Sequence, residues 1–274
     1  MISIITSIYN QLAMNQLYYE SLQASTQNPF ELIIIDNGSS DGSREYFEKQ
    51  ANVKLIALDG NYNYPYCQNR GIEKSRFEWL CFFNNDIILP NGWDEKMLKI
   101  MESNPRLGLL SFASNDHLEN KKTQKKLNRK WKRIKYPLQK IWGNSRNSLS
   151  LMLRLMYRDF QAFADRRFDH WGYELIEGYS GSAILMKKEI LEKVGLWDER
   201  IQGADFDLFN RVKTYANHHD DLIPIQLALG IYIHHFQRLT VKQPYPPFAN
   251  RDQMIRLEEK WGEKTKNLRA DIVG

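Results

Sequence analysis

The 274 residues contain only two cysteines, Cys67 and Cys81, too few for a disulfide framework or a structural zinc site. A reducing, cytoplasmic setting is therefore expected. No apolar stretch approaches the roughly 18 residues of a membrane span; the clearest runs, 183–186 and 227–233, are short. The opening MISIITSIYN has no basic head before its apolar run and no small-residue cleavage site, so no secretory leader is expected. Neither Gly-x-Gly-x-x-Gly nor Gly-Lys-Ser/Thr occurs, which removes the main support for a dinucleotide-binding or P-loop reading. Acidic residues are missing altogether from 121 to 140.

What is present is ordinary globular usage, 42% hydrophobic and 26% charged, in a chain long enough for one large domain or two small ones. The net charge of +5 is concentrated in the acid-free stretch. There Lys121, Lys122, Lys125, Lys126, Arg129, Lys130, Lys132, Arg133, Lys135 and Lys140 alternate with Trp131, Ile134, Leu138, Ile141 and Trp142 at helical spacing. A solvated insertion fits this pattern, and so does a basic amphipathic surface that docks on anionic lipid headgroups or on an anionic acceptor. No zinc, helix-turn-helix or single-strand-binding signature accompanies the run, so nucleic acid is not an expected partner.

The first 115 residues alternate in type. Strands are expected at 2–8, 31–36, 53–58, 79–83 and 107–113. Helices are expected at 12–24, from a Ser40 cap to about 50, at 65–74 and at 92–102. This rhythm predicts an α/β fold with a mostly parallel sheet and helices on both faces. Residues 117–175 interrupt it with the basic run and a helix at 149–164. A strand at 178–186, helices at 188–194 and 205–215, strand character at 222–233 and a surface helix at 250–261 complete the reading. Gln243-Pro-Tyr-Pro-Pro reads as an extended strap.

In such a sheet, ligands bind beyond the carboxyl ends of the strands. Past the first strand come Ser7, Tyr9 and Asn10; past the second, Asp36-Asn37-Gly38-Ser39-Ser40-Asp41-Gly42-Ser43; past the fourth, Asn84-Asn85-Asp86. The second cluster suits a tight turn with a helix cap, or a pocket whose carboxylate or amide accepts from the imide N–H of uracil or thymine. The third suits an Asx turn, or a carboxylate for a hard cation whose shell is completed by water and a diphosphate. In the second half, Asp205 at a helix start can act as an N-cap or as a base, and Asp207 can pair with Arg211 one turn on. Gly178-Tyr-Ser-Gly-Ser-Ala183 reads as a glycine-rich turn into a strand.

SIITSIYNQ, ELIIIDNGSSDGS, NYNYPYCQNRGI, LCFFNNDIILPNGW and GADFDLFNRV, in that order, resemble the motif series of family 2 nucleotide-sugar glycosyltransferases. The resemblance covers about the first 115 residues and resumes from Gly178 to His235; the closing EEKWG also resembles bacterial members. It implies a GT-A fold with a Rossmann-like sheet and a smaller acceptor-side sheet, and an inverting transferase using Mn²⁺ or Mg²⁺. By position, Ser7, Tyr9, Asp36, Asn37, Asp41, Asn69, Asn84 and Asn85 would bind the nucleotide sugar, while Asp86 and His235 would hold the metal. Asp205 would be the general base, with Gly181, Ser182, Asp207 and Arg211 on the acceptor side. Arg238 and Thr240 match the same late histidine segment. Three departures stand out: Asn84 and Asn85 replace frequent acids, Asn37 replaces a frequent Asp, and Ala204 replaces a Glu.

The resemblance divides the chain into a nucleotide-sugar half (1–115), a basic helical insertion (116–175), an acceptor and catalytic half (176–241) and a closing strap and helix (242–274). The expected function is transfer of a sugar from a UDP- or dTDP-sugar to a glycan, lipid-linked glycan or protein hydroxyl in bacterial surface polysaccharide or glycoconjugate synthesis. The expected place is the cytoplasm, with the insertion able to hold the protein at the inner membrane face. A sugar-phosphate nucleotidyltransferase would share the layout, but TSIYNQLAMNQ lacks that class's Gly-rich, Arg/Lys-containing loop. A non-catalytic sugar-binding module on the same fold would be consistent with Ala204 and Asn84.

Overall fold

The continuous apolar runs near the start of the chain become the centre of the sheet. In the computed structural model, which describes residues 1–237, 239 and 246–262, β1 (Ile2–Ile8) is followed by α1 (Leu12–Ser25) and β2 (Phe30–Asp36). Next come α2 (Ser43–Glu48), β3 (Val53–Ala57), α3 (Tyr64–Lys74), β4 (Trp79–Phe83), β5 (Ile87–Ile88), α4 (Trp93–Ser103) and β6 (Leu109–Ser114). Three helices follow, α5 (Lys121–Trp142), α6 (Arg146–Tyr157) and α7 (Phe160–Trp171). Then come β7 (Leu175–Glu177), β8 (Ala183–Lys187), α8 (Ile190–Val194), α9 (Ala204–Ala216), β9 (Gln226–His235) and α10 (Leu257–Trp261).

The sheet order is β3-β2-β1-β4-β8-β6-β9-β5, with β7 added against β9. Strands β1 to β4 are mutually parallel, and β6 is parallel to β9. Between these two groups β8 runs antiparallel to both β4 and β6. At the far end, His234 and His235 of β9 pair with β5 in a short antiparallel ladder. The sheet is thus mixed and mostly parallel.

Alternation along β1 divides its side chains between the two faces. Ile2, Ile4 and Ile8 pack with Tyr18 and Leu22 of α1 and with Trp93 and Met97 of α4. Ile5 packs on the other side with Cys67 and Ile72 of α3 and with Leu208, Phe209 and Val212 of α9. Helix α3 crosses β1 so closely at Gly71 that a methyl there would overlap Ile5. Asn63 starts this helix by accepting from the Tyr66 N–H at 3.1 Å, with Pro65 in its first turn.

The basic run forms the 22-residue α5, capped by Asn120. Trp131, Leu127, Ile134 and Leu138 pack against Leu149, Met152 and Met156 of α6 and against Phe236 and Leu239. Ile141 and Trp142, expected on this apolar side, are 68% and 55% exposed. Lys135 is buried and donates to the Gln237 carbonyl at 2.8 Å, which fastens α5 to the segment after β9.

Several expectations change in detail. The single helix at 149–164 is two, because Arg158 takes a left-handed φ of 65° and Asp159 caps a new start at the Ala162 N–H. Gly42, not Ser40, occupies the cap position of α2, since its φ of 92° suits glycine. The strand at 178–186 begins only at Ala183, after the extra strand β7. The 250–261 helix shrinks to one 3₁₀ turn, Arg251–Gln253, and α10, because Ile255 leaves helical geometry to donate to the Arg200 carbonyl at 2.8 Å. Arg238, Thr240 and Gln243-Pro244-Tyr245 lie outside the described residues. No helix among the described residues is long and apolar enough to cross a membrane.

Trp131 is fully buried, with its ring edge-on to His234 at 4.7 Å and to Phe236 at 5.8 Å. Replacing it by alanine should destabilise the fold by about 3–5 kcal/mol, read as a lower denaturant midpoint. Lys126→Gln, on the exposed side of the same helix, should leave that midpoint within about 0.5 kcal/mol of the parent.

Candidate active site

The registers explain how residues far apart in sequence meet. In the parallel ladder Ile8 stands beside Asp36, and Ile5 stands beside Phe82, so the loops after β1, β2 and β4 leave from one rim. Because β8 is antiparallel, its beginning rather than its end reaches that rim, with Ala183 opposite Phe83. The Asn84 N–H donates to the Ser182 carbonyl at 2.9 Å. Ser114 pairs with Ile233, so Asn115-Asp116-His117 after β6 sits beside the end of β9. Ile87 opposes His235, which brings Asp86 there as well.

These segments enclose a cleft of about 450 Å³. Of the expected residues, Asn84, Gly181, Ser182, Asp205 and His235 line it. Asp86 stands directly behind His235, with a carboxylate oxygen 3.1 Å from Nε2. On its other side the imidazole bonds through Nδ1 to Asp116, and its backbone is fixed by Asn115 in two hydrogen bonds of 2.8 and 2.9 Å. Burial alone would keep His235 neutral. The charges of Asp86 and Asp116 and the hydrogen bonds to both outweigh it and push the imidazole pKa up to about 10.

Asp205, half-buried in the first turn of α9, lines the same cleft. Burial pushes its carboxyl above the usual aspartate range, against the pull of the Phe206 N–H, which donates to it at 3.0 Å. Gly181 permits this arrangement, since a methyl at that position would overlap the Asp205 carboxylate. Tyr64 and Tyr179 flank it, and burial, then the Asp205 charge, raise both phenols.

The remaining expected residues are placed elsewhere. Asp36 is fully buried; one oxygen accepts from the Arg44 Nε at 2.6 Å and the other from the Ser39 N–H at 3.0 Å. Asn37 uses its amide on Asn61 and on both backbone groups of Tyr62. Asp41 accepts from the Leu12 and Ser43 N–H groups. Ser7 accepts a long 3.4 Å bond from Gln68, and Tyr9 is half-buried at the tip of β1. These five stay on the rim over β1 and β2 but outside the cleft.

Asn69 does not reach the cleft. Its amide is used on Trp197 and Glu199, where it fixes the 197–199 segment. Asp207 and Arg211 likewise turn away: they pair at 2.8 Å, and Asp207 also holds Lys260 at 2.6 Å and the Trp261 indole at 2.8 Å. They join α9 to α10 instead of facing an acceptor. Asn85 donates to Asn15 at 2.6 Å.

Two participants were not singled out from sequence. Asp116 follows the tip of β6, and extending the strand-tip rule to the fifth strand would have found it. Asn15 is fully buried in α1 and bonds Asn85, the Asn10 carbonyl and the Ser43 hydroxyl, joining three rim loops. Nothing in its local pattern marks it. Asp86, Asp116 and His235 are the right donor types for a hard divalent ion. As they stand, the imidazole lies between the carboxylates, and among the described residues no three His, Cys, Asp or Glu side chains converge to hold a metal.

Comparison with known proteins agrees with this geometry. The profile of Glycosyl transferase family 2 matches residues 3–195. The chain is 36% identical over 109 residues to an uncharacterized glycosyltransferase of Haemophilus influenzae, covering 38% of this chain and 43% of that one. It is 26% identical over 200 residues to the poly-beta-1,6-N-acetyl-D-glucosamine synthase of Staphylococcus epidermidis, covering 72% and 42%. It thus spans less than half the length of these curated relatives. Among solved structures, the mannosyltransferase PcManGT from Pyrobaculum calidifontis, in complex with GDP-Man and Mn²⁺, superposes with a TM-score of 0.54 at 12% identity, over 89% of this chain and 58% of that one. The architecture is GT-A.

Because the folded state favours protonated Asp205, the stability this group contributes is present at low pH and lost as pH rises through its raised pKa. Asp205→Asn should therefore unfold at a higher temperature than the parent at neutral pH, with the gap closing on acidification below the ordinary aspartate range. Gly181→Ala should displace the carboxylate and lower turnover by about 100-fold while the far-ultraviolet circular dichroism is unchanged.

Proposed function

The chain belongs to glycosyl transferase family 2, and from that premise we propose that it transfers a sugar with inversion from a uridine or thymidine diphosphate donor to a hydroxyl of a glycan-type acceptor. Bacterial surface polysaccharide or glycoconjugate synthesis is the proposed setting, in keeping with the similarity to a bacterial polysaccharide synthase. The carrying observation is Asp205, a carboxylate of raised pKa that shares one cleft with Asn84 and His235 across the sheet rim.

In this reading Asp205 accepts the proton of the acceptor hydroxyl as its oxygen bonds to the anomeric carbon. The sugar–diphosphate bond breaks on the opposite side, and a single displacement inverts the centre. Asn84 and the backbone at 181–182 position the sugar. The loops zipped together over β1 and β2 would take the nucleoside: the Asn10 N–H donates to the Ser39 hydroxyl, and the Ser40 N–H donates to the Asn10 side chain.

Asp86 and His235, the latter only as the neutral imidazole, are the residues that would hold Mn²⁺ or Mg²⁺, which when bound would offset the charge developing on the departing diphosphate. In this reading 1–115 would serve the donor, 176–241 the acceptor and the chemistry, with 116–175 as an insertion and 242–274 as a closing segment.

The test is hydrolysis of a panel of UDP- and dTDP-sugars with Mn²⁺. Asp205→Asn should lower the rate by about 10²–10⁴-fold, and Asp86→Ala should remove the response to Mn²⁺. The acid limb of the pH–rate profile should lie above the ordinary aspartate range, because activity needs Asp205 ionised and its pKa is raised. Equal, metal-independent rates in all three proteins would replace this reading with a non-catalytic sugar-binding module.

A further inference from the structure

A second cleft, of about 680 Å³, opens beside the first. One wall is α5, which presents Lys121, Lys125, Arg129 and Lys132; the other is formed by Ile176, Glu177, Gly178 and Leu227. His117 and Tyr179 line both clefts, so the two adjoin at that pair. The spacing of the four cations, at i, i+4, i+8 and i+11, sets them in one stripe about 16 Å long.

The charges in this cleft are unbalanced. Its acidic lining residues are already engaged elsewhere: Glu119 with Arg167 at 2.9 Å and Glu177 with Lys213 at 2.8 Å. Among the described residues, none of Lys121, Lys125, Arg129 and Lys132 has a carboxylate partner. At the junction, the Tyr179 hydroxyl and the His117 Nδ1 are buried without a hydrogen-bond partner among the described residues, and Tyr179 is only 2% exposed. A buried polar atom left unmatched is costly unless something that enters the site completes it.

We propose that this cleft binds the acceptor and that the acceptor is a glycan chain carrying negative charge along its length, as phosphodiesters or uronates. Resting on the transferase reading above, it gives that reaction a substrate class. The chain lies along the stripe, its charges against Lys121, Lys125, Arg129 and Lys132, and its end passes Tyr179 and His117 to present a hydroxyl to Asp205. A concave site favours a chain over a flat lipid surface. The bare Ile141 and Trp142, which headgroup insertion would use, lie beyond Lys132 and outside this cleft.

The experiment measures binding of three probes to the full chain: a soluble poly(glycerol phosphate), a uronate oligosaccharide and a neutral dextran, with anionic vesicles as a fourth arm. The triple variant Lys125→Gln/Arg129→Gln/Lys132→Gln is compared with Lys122→Gln/Lys126→Gln/Arg133→Gln, which removes equal charge from the exposed side of α5. The charged chains should bind in a salt-dependent manner and the dextran should not. The cleft triple should weaken that binding about tenfold or more, and the outer triple by much less. Which of the two charged chains binds more tightly identifies phosphate or carboxylate.

Equal losses in the two triples, or dextran bound as well as the charged chains, would overturn the proposal. Vesicle binding that depends on the cleft triple, with no binding of either soluble chain, would transfer the stripe to a membrane. Donor hydrolysis by the parent and by Asp205→Asn in the same preparations keeps the two readings separable. Hydrolysis dependent on Asp205, with polyanion binding indifferent to the cleft triple, removes only the acceptor assignment. Cleft-dependent polyanion binding without hydrolysis upholds the polyanion site and removes the transfer reaction.

Discussion

The reversed direction of one strand governs the architecture of the cleft. Were β8 parallel to β4 and β6, the turn at 178–182 would lie at the opposite edge of the sheet, and Asp205, which fits only against the bare backbone of Gly181, would have nothing to pack on. Running antiparallel, β8 brings its glycine and serine lead-in to the rim where β4 and β6 release their polar loops. Ser180 is tied there to Ser111 of β6, whose hydroxyl accepts from the Ser180 N–H at 2.7 Å. One direction of chain travel thus converts two sets of strand tips into a single cavity.

Electrostatics complete what topology begins. Asp86 and Asp116, delivered by different strands, would repel each other across so small a space, and His235 between them supplies the compensating charge. Asp205 has no such cation paired with it among the described residues, and its carboxyl is raised by burial. Two acidic environments at one cleft therefore differ in kind: one is balanced by a cation, the other is raised by burial. Asn15 supports the arrangement from beneath by joining the loops after β1, β2 and β4.

The first half of the fold was legible because its strands are covered on both faces and so read as unbroken apolar runs; β4 matches its expected limits residue for residue, and α1 and β2 to within one. What local pattern could not carry was pairing. Nothing in Ala183–Lys187 says which neighbours it takes or in which direction, and although the strand-tip rule reaches Asp116, its partner His235 comes only from the pairing of β6 with β9. Five residues that the resemblance named, Asp205, Asn84, Gly181, Ser182 and His235, line one cavity, yet Asn69, Asp207 and Arg211 shared motifs with them and bond to helices and loops instead. A motif records which residues occur together; whether a side chain faces solvent or a neighbouring helix depends on packing partners such as Trp197 and Trp261, far along the chain.

The bond between Asp116 and His235 joins residues 119 positions apart, and Lys135 reaches Gln237 across 102. During biosynthesis, therefore, the amino-terminal strands can emerge and pair while β9 is still inside the ribosome, but the cleft cannot. Until β9 arrives, Asp86 and Asp116 lack the imidazole between them, and α5 lacks the carbonyl that receives its buried amine. Assembly of the cleft is thus a late event, set by the synthesis of β9 rather than by the pairing of the amino-terminal strands.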